Sequence, residues 1–157
     1  MPSKIDPESP GFLVSTTARL MRGAFEREIE RAQIGVTAGE ARVLAHMSVC
    51  GGMRQNILAD RLGCAPMSVS AFLDRLERAG LIERGPDPDD RRAKIVRLTA
   101  AAGPILTQIQ LAGEEARKAA FAGVRPEDFE VFRAVCLQLR ANLEEPRGAR
   151  AAAEVAQ

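Results

Sequence analysis

Residues 86–99 read PDPDDRRAKIVRLT. Arg91, Arg92, Lys94 and Arg97 bring four cations together directly behind Asp87, Asp89 and Asp90. Guanidinium and ammonium groups gathered on one turn and the strand after it can hold phosphate oxygens. Such a run taken alone is more often a solvated surface turn, so its neighbours must decide between the two readings. A second set lies just upstream. Pro66, Met67, Ser68, Ser70 and Ala71 are small, apolar or hydroxyl-bearing, and Arg75 and Arg78 follow them. On a helix, this order lets the backbone approach a partner closely at one end and meet anions at the other. A third set, His46 and Cys50 one helical turn apart with Cys64, has the donor chemistry of a partial zinc site. No fourth ligand stands at a recognisable spacing, and packing is the ordinary role of such residues. With a single histidine, no glycine-rich phosphate loop and no nucleophile elbow, the chain offers no enzyme motif and calls for no cofactor.

Composition narrows the frame around these sets. A chain of 157 residues is the size of one domain, with room for elongated additions. The 22 basic and 21 acidic residues leave a formal charge of +1, so any anion-binding surface must come from where the arginines lie. Three cysteines without a repeated close spacing predict reduced thiols, not a disulfide framework. Without an apolar leader or a span-length apolar run, the chain reads as soluble and cytoplasmic, with no membrane partner.

The elements that must position the cations are legible from periodicity and punctuation. Val14, Ala18, Met21, Phe25, Ile29 and Ala32 follow three-four spacing and predict a long first helix from residue 12 to about residue 32. Thr37 and Glu40 form a capping-box pattern that opens a second helix carrying Val43, Leu44 and Met47, and Gly51 and Gly52 stop it. RQNILADRLG predicts a short helix with Ile57, Leu58 and Leu62 inward and Gly63 at its end. Pro66 opens the next helix, which buries Val69, Leu73 and Leu76, presents Ser68, Ala71, Arg75 and Arg78 outward, and ends at Gly80. Residues 81–84 and 93–98 predict two strands of a hairpin whose apolar positions include Ile82, Val96 and Leu98. Thr99 offers an N-cap to a fifth helix, whose Gly103 and Pro104 should weaken or bend its start. Phe129, Phe132, Cys136, Leu139 and Leu143 stripe a sixth helix beginning at Pro126. The terminal helices carry more apolar surface than the central module can cover, which predicts a homodimer.

The stretch ILADRLGCAPMSVSAFLDRLERAGLIERGPDPDDRRAKIVRLT, residues 57–99, closely resembles the winged helix-turn-helix of the MarR family of bacterial transcription regulators. The resemblance extends over residues 12–143, and its most specific part is the recognition helix in register with the Asp-Asp-Arg-Arg wing and the Leu-Thr that follows. It implies a mainly α fold: a flexible N-terminus at 1–10, a dimerisation helix at 11–36, a DNA-binding lobe at 37–99, dimerisation helices at 100–145 and a flexible tail at 146–157.

The function implied is that of a dimeric regulator, a repressor that binds double-stranded DNA at a pseudo-palindrome. Pro66, Met67, Ser68, Ser70 and Ala71 would face the bases, and Arg75 the phosphates. In the wing, Arg92 would enter the minor groove with its guanidinium held by Asp90, while Arg84, Arg91, Lys94 and Arg97 meet phosphates. Ala65 and Ala71 depart from the family pattern, which commonly has a serine cap and a long polar side chain there. The family also implies a small phenolic or aromatic acid as effector. Met21, Arg22, Phe25 and His46 are its candidate pocket, with Arg22 as carboxylate partner. The branch that senses organic peroxides uses a first-helix cysteine, which is missing between residues 12 and 32. Two alternatives stay open: a winged-helix protein-interaction module without DNA binding, and a metal- or redox-responsive regulator.

Overall fold

The computed structural model describes residues 6–144. In chain order these form α1 (Pro10–Ala32), α2 (Ala38–Cys50), α3 (Gln55–Leu62), α4 (Pro66–Arg78), β1 (Ile82–Pro86), β2 (Lys94–Leu98), α5 (Ala102–Ala120) and α6 (Pro126–Leu143). They fall into two compact units that divide after Ala120. The tail expected at 146–157 lies outside the described residues.

The first unit is built on the stripes read from the sequence. Val43, Leu44 and Met47 of α2, Leu58 and Leu62 of α3, and Val69, Leu73 and Leu76 of α4 are buried in one cluster. Leu81, Ile82 and Val96 bring the hairpin into the same cluster, and Ile29, Ala102, Ile109 and Ala112 join it to α1 and α5. Each fully buried aliphatic side chain contributes roughly 1.5–3 kcal/mol. That outweighs the missing cap at Ala65, worth about 1 kcal/mol, which explains why α4 tolerates an N-cap without a side-chain hydrogen bond. Ile57, expected inward, is 40% exposed, and Ala59 is buried on α3 beside Leu58 and Leu62.

The hairpin is antiparallel, with Ile82 opposite Leu98 and Pro86 opposite Lys94. Its strands lie slightly further along than expected at the first strand, because pairing continues through Gly85 and Pro86. Met53 adds a third, single-residue rung: its N–H donates to Val96 O at 3.1 Å and Val96 N–H returns to Met53 O at 2.9 Å. The α2–α3 connection is thereby stitched to the base of the wing. Thr99 does not cap α5. Its hydroxyl donates to Gly80 O at 2.6 Å and its N–H to Leu81 O at 3.0 Å, closing the hairpin's base, and α5 begins three residues later. Gly103 and Pro104 fall in the first turn of α5, where proline's missing N–H costs no helical hydrogen bond.

α4 packs closely against the start of α2. Gly39 faces the ring of Phe72: a Cβ there would lie 2.4, 2.7 and 2.9 Å from three ring atoms. Gly39→Ala therefore requires the Phe72 ring or the helices to shift and is expected to destabilise the fold by about 1–3 kcal/mol, as overpacking typically does. A thermal melt checks this. Adding Phe72→Leu should recover part of the loss, and an unshifted melt for the single variant would contradict the close approach.

In the second unit, Phe121 meets Phe129 edge-on at 4.8 Å and Phe132 at 5.7 Å. α6 buries no residue of its own, and Val131, Phe132, Val135, Leu139 and Leu143 are exposed along it.

Candidate nucleic-acid interface

α4 turns Val69, Leu73 and Leu76 into the core. The helical repeat then places Met67, Ala71, Asp74 and Arg78 along the opposite ridge, with Ser68 and Arg75 on one flank and Ser70 and Glu77 on the other. All four ridge residues are exposed, as are Pro66 and Ser68, while Ser70 is half-buried. Of the residues expected to face bases, the structure thus brings Pro66, Met67, Ser68 and Ala71 together on one open surface.

The arginines behind that surface are engaged by acids of the chain itself. Arg75 donates from Nε to Glu40 Oε1 at 2.5 Å and stands over the Phe72 ring, 5.5 Å from its centroid. Glu40 is buried and also closes the α2 capping box, accepting from Thr37 N–H at 2.8 Å. Burial pushes the Glu40 carboxyl up, but the hydrogen bonds from Arg75 and Thr37 outweigh it and hold the group below the usual carboxylate range. One carboxylate therefore ties the N-terminus of α2 to the middle of α4.

Arg84, expected at a phosphate, reaches Asp74 Oδ1 at 2.8 Å and Glu77 Oε2 at 2.5 Å, with its side chain only 19% exposed. It joins β1 to α4 and neutralises the two acids that α4 presents outward.

The wing answers why acids stand beside arginines. Asp87 Oδ1 accepts from Asp89 N–H at 2.9 Å, and Asp90 Oδ1 accepts from Arg92 N–H at 3.0 Å. Each is an aspartate side chain gripping the backbone two residues on, the mechanism that makes Asp a turn residue. Ala93 N–H donates to Asp90 O at 2.9 Å and Asp87 N–H to Ala93 O at 3.0 Å, closing the tip. Asp90 was expected to hold the Arg92 guanidinium; it holds the Arg92 backbone instead. The cation it faces is Arg54, whose Nη2 lies 3.6 Å from Asp90 Oδ2 and whose Nε donates to Asp87 Oδ2 at 2.7 Å. The Asp89 amide first and Arg54 next hold the Asp87 carboxyl below its ordinary range.

Arg54 was not singled out from the sequence. It sits at the N-cap of α3, 33 positions from Asp87, and nothing local marks it as the wing's anchor. Arg91, Arg92 and Lys94 are exposed, and with Arg97 they form no ion pair among the described residues. Arg97 lies flat across the sheet: a Cβ at Gly52 would meet its Cγ at 2.9 Å, and one at Gly85 its Nη1 at 3.2 Å.

The four residues expected to line an effector pocket differ in their burial. Phe25 is half-buried and packs towards Gly113 of α5, Met21 is half-buried, and Arg22 is exposed. His46 is half-buried on α2 with Nε2 enclosed and without a hydrogen-bond partner, and burial followed by the nearby Arg61 pushes its pKa below the usual histidine value. An open cleft of about 340 Å³ lies elsewhere, between α1 and α5, with Glu28, Ile34, Gln108, Leu111 and Glu115 among its walls. Among the described residues no three His, Cys, Asp or Glu side chains gather as metal ligands, and no helix is long and apolar enough to cross a membrane.

Comparison with known proteins agrees with this geometry. The family model described as the MarR family matches residues 36–94. A MarR-family transcriptional regulator from Silicibacter pomeroyi is 22% identical, covering 88% of this chain and 92% of that one, with a TM-score of 0.72. The apo form of wild-type MarR from E. coli is 21% identical over 87% of this chain and 98% of its own, with a TM-score of 0.70. A mutant E. coli MarR complexed with operator DNA, also 21% identical, covers 87% of this chain and 99% of its own at a TM-score of 0.66. Residues 36–94 thus match the MarR family model and sit in the winged-helix fold that these MarR structures share.

Proposed function

We propose that this protein is a cytoplasmic, dimeric, sequence-specific DNA-binding regulator, and that it acts as a ligand-responsive repressor at a pseudo-palindromic operator. The observation that carries the reading is how charge is sorted on the α4–wing surface. The acids Asp74, Glu77, Asp87 and Asp90 are answered from within the chain by Arg84 and Arg54. Arg91, Arg92 and Lys94 stay exposed without a carboxylate partner among the described residues. Cations left free on the wing, together with an open ridge on α4, suit a polyanion with a major groove.

A protein-interaction module would favour an acidic α4 face, and Arg84 removes that charge. The operator complex of the similar E. coli protein supports the same assignment. In this reading α4 enters the major groove, and Arg92 at the wing tip enters the adjacent minor groove, where the potential is concentrated.

Dimerisation follows from apolar surface that each unit leaves open: Phe12, Leu13, Val14 and Leu20 on α1, and Phe132, Val135, Leu139 and Leu143 on α6. Two copies related by a two-fold axis would bury these faces and place two α4 helices about one DNA turn, roughly 10 base pairs, apart. A small aromatic acid that changed the spacing of the two lobes would release the operator.

Selection from random duplexes tests the whole reading. Enrichment of an inverted repeat with half-sites about 10 base pairs apart is expected. Retention of duplexes without any shared sequence would overturn it.

A further inference from the structure

Met67 is the structural oddity of the interface. It is 86% exposed, an unbranched apolar side chain on the first turn of α4, where solvent gains nothing from it. Ala71 follows one turn later on the same ridge, also exposed, so a narrow apolar track runs along the end of the helix that is free to approach a partner. The first two turns present Pro66, Met67, Ser68, Ser70 and Ala71, without an amide, a guanidinium or an ammonium group. The bidentate pairings that read guanine through Arg or Lys, and adenine through Asn or Gln, are therefore missing from this stretch. Further along, Asp74 is held by Arg84 and Arg75 by Glu40.

The apolar feature that the major groove offers to such a track is the 5-methyl group of thymine. A thioether side chain is soft and adaptable enough to cover a methyl without a fixed geometry. We infer that Met67 is a specificity-determining residue that reads a thymine methyl in each operator half-site, with Ala71 keeping the helix close enough for contact. The inference rests on the DNA-binding reading above and adds which base feature is recognised and by which atoms.

The test uses the full-length protein and the duplex of highest affinity from selection. Each thymine is replaced in turn by deoxyuridine, which removes only the methyl group. For the wild-type protein, one position per half-site should lose about fourfold in affinity, the effect of one methyl-sized group withdrawn from an apolar contact. Replacing both should lose roughly sixteenfold if the half-sites are independent. Met67→Ala should bind the thymine and uracil duplexes alike, and Met67→Leu, which keeps an apolar contact, should keep the preference. Indifference of the wild-type protein to uracil throughout the half-site overturns the inference while leaving sequence-specific binding in place. So does a Met67→Ala protein that still prefers thymine by the same factor. Absence of any selected sequence overturns both this inference and the reading on which it rests.

Discussion

Arg84→Ala is expected to weaken duplex binding by about tenfold at moderate salt, with little change in melting temperature. The two halves of that statement have different causes. The pairs of Arg84 with Asp74 and Glu77 are partly exposed, the acids 55% and 42% and the arginine 19%. Ion pairs of this kind contribute about 0–1 kcal/mol to stability. Their effect on DNA is larger because Asp74 and Glu77 stand on the outward half of α4. Without Arg84, two uncompensated carboxylates face the phosphate backbone, and like charges brought together in an interface are costly.

The alternative is that Arg84 itself holds a phosphate, as the resemblance implied. A double-mutant cycle separates the two. If Arg84 neutralises, Asp74→Asn with Glu77→Gln restores most of the affinity lost in Arg84→Ala and changes the wild-type protein much less. If Arg84 is a phosphate contact, the acid substitutions help both backgrounds equally.

The second large effect is expected at Arg54. Its side chain bridges the α3 N-cap to Asp87 and Asp90 of the wing. Arg54→Ala leaves both carboxylates without their cation, a few residues from Arg91 and Arg92. The wing tip then carries less positive potential and a looser base, so DNA affinity should again fall about tenfold. Amide exchange should quicken in residues 87–93, while the helices stay protected. Met53 still pairs its backbone with Val96, so the hairpin itself should persist. Unchanged affinity together with unchanged exchange would show that Asp87 and Asp90 shape the tip through their backbone contacts alone.

What could be read in advance follows a physical divide. The helix stripes, the capping box and the glycine stops depend on residues within about one turn of each other, and the buried faces of α2 and α4 appear where periodicity put them. Ile57 fails for a definite reason: Ile57, Leu58 and Ala59 are consecutive apolar residues in a helix of eight, too short for the period to choose which of them points outward.

Long-range polar pairing was not legible. Glu40 could be recognised as a cap, but its second partner, Arg75, is 35 positions away. Arg54 is 33 positions from Asp87, and no local pattern distinguishes it from a solvated arginine. For Asp90 the resemblance implied a side-chain pair with Arg92, where the geometry gives a backbone turn. Thr99 has the residue type of a cap, yet the hairpin's base takes its hydroxyl. Composition and spacing located the cations; only the fold decided which of them its own acids had already engaged.

The central claim is that the exposed wing cations, backed by α4, hold duplex DNA. Its most direct test is a titration of one selected duplex at several salt concentrations, with the wild-type protein and with Arg91→Ala, Arg92→Ala and Lys94→Ala. Log affinity should fall linearly with log salt concentration, and each substitution should weaken binding and lower the slope by about one for every phosphate contact removed per duplex. A slope near zero, or one that the three substitutions leave unchanged, would contradict the account.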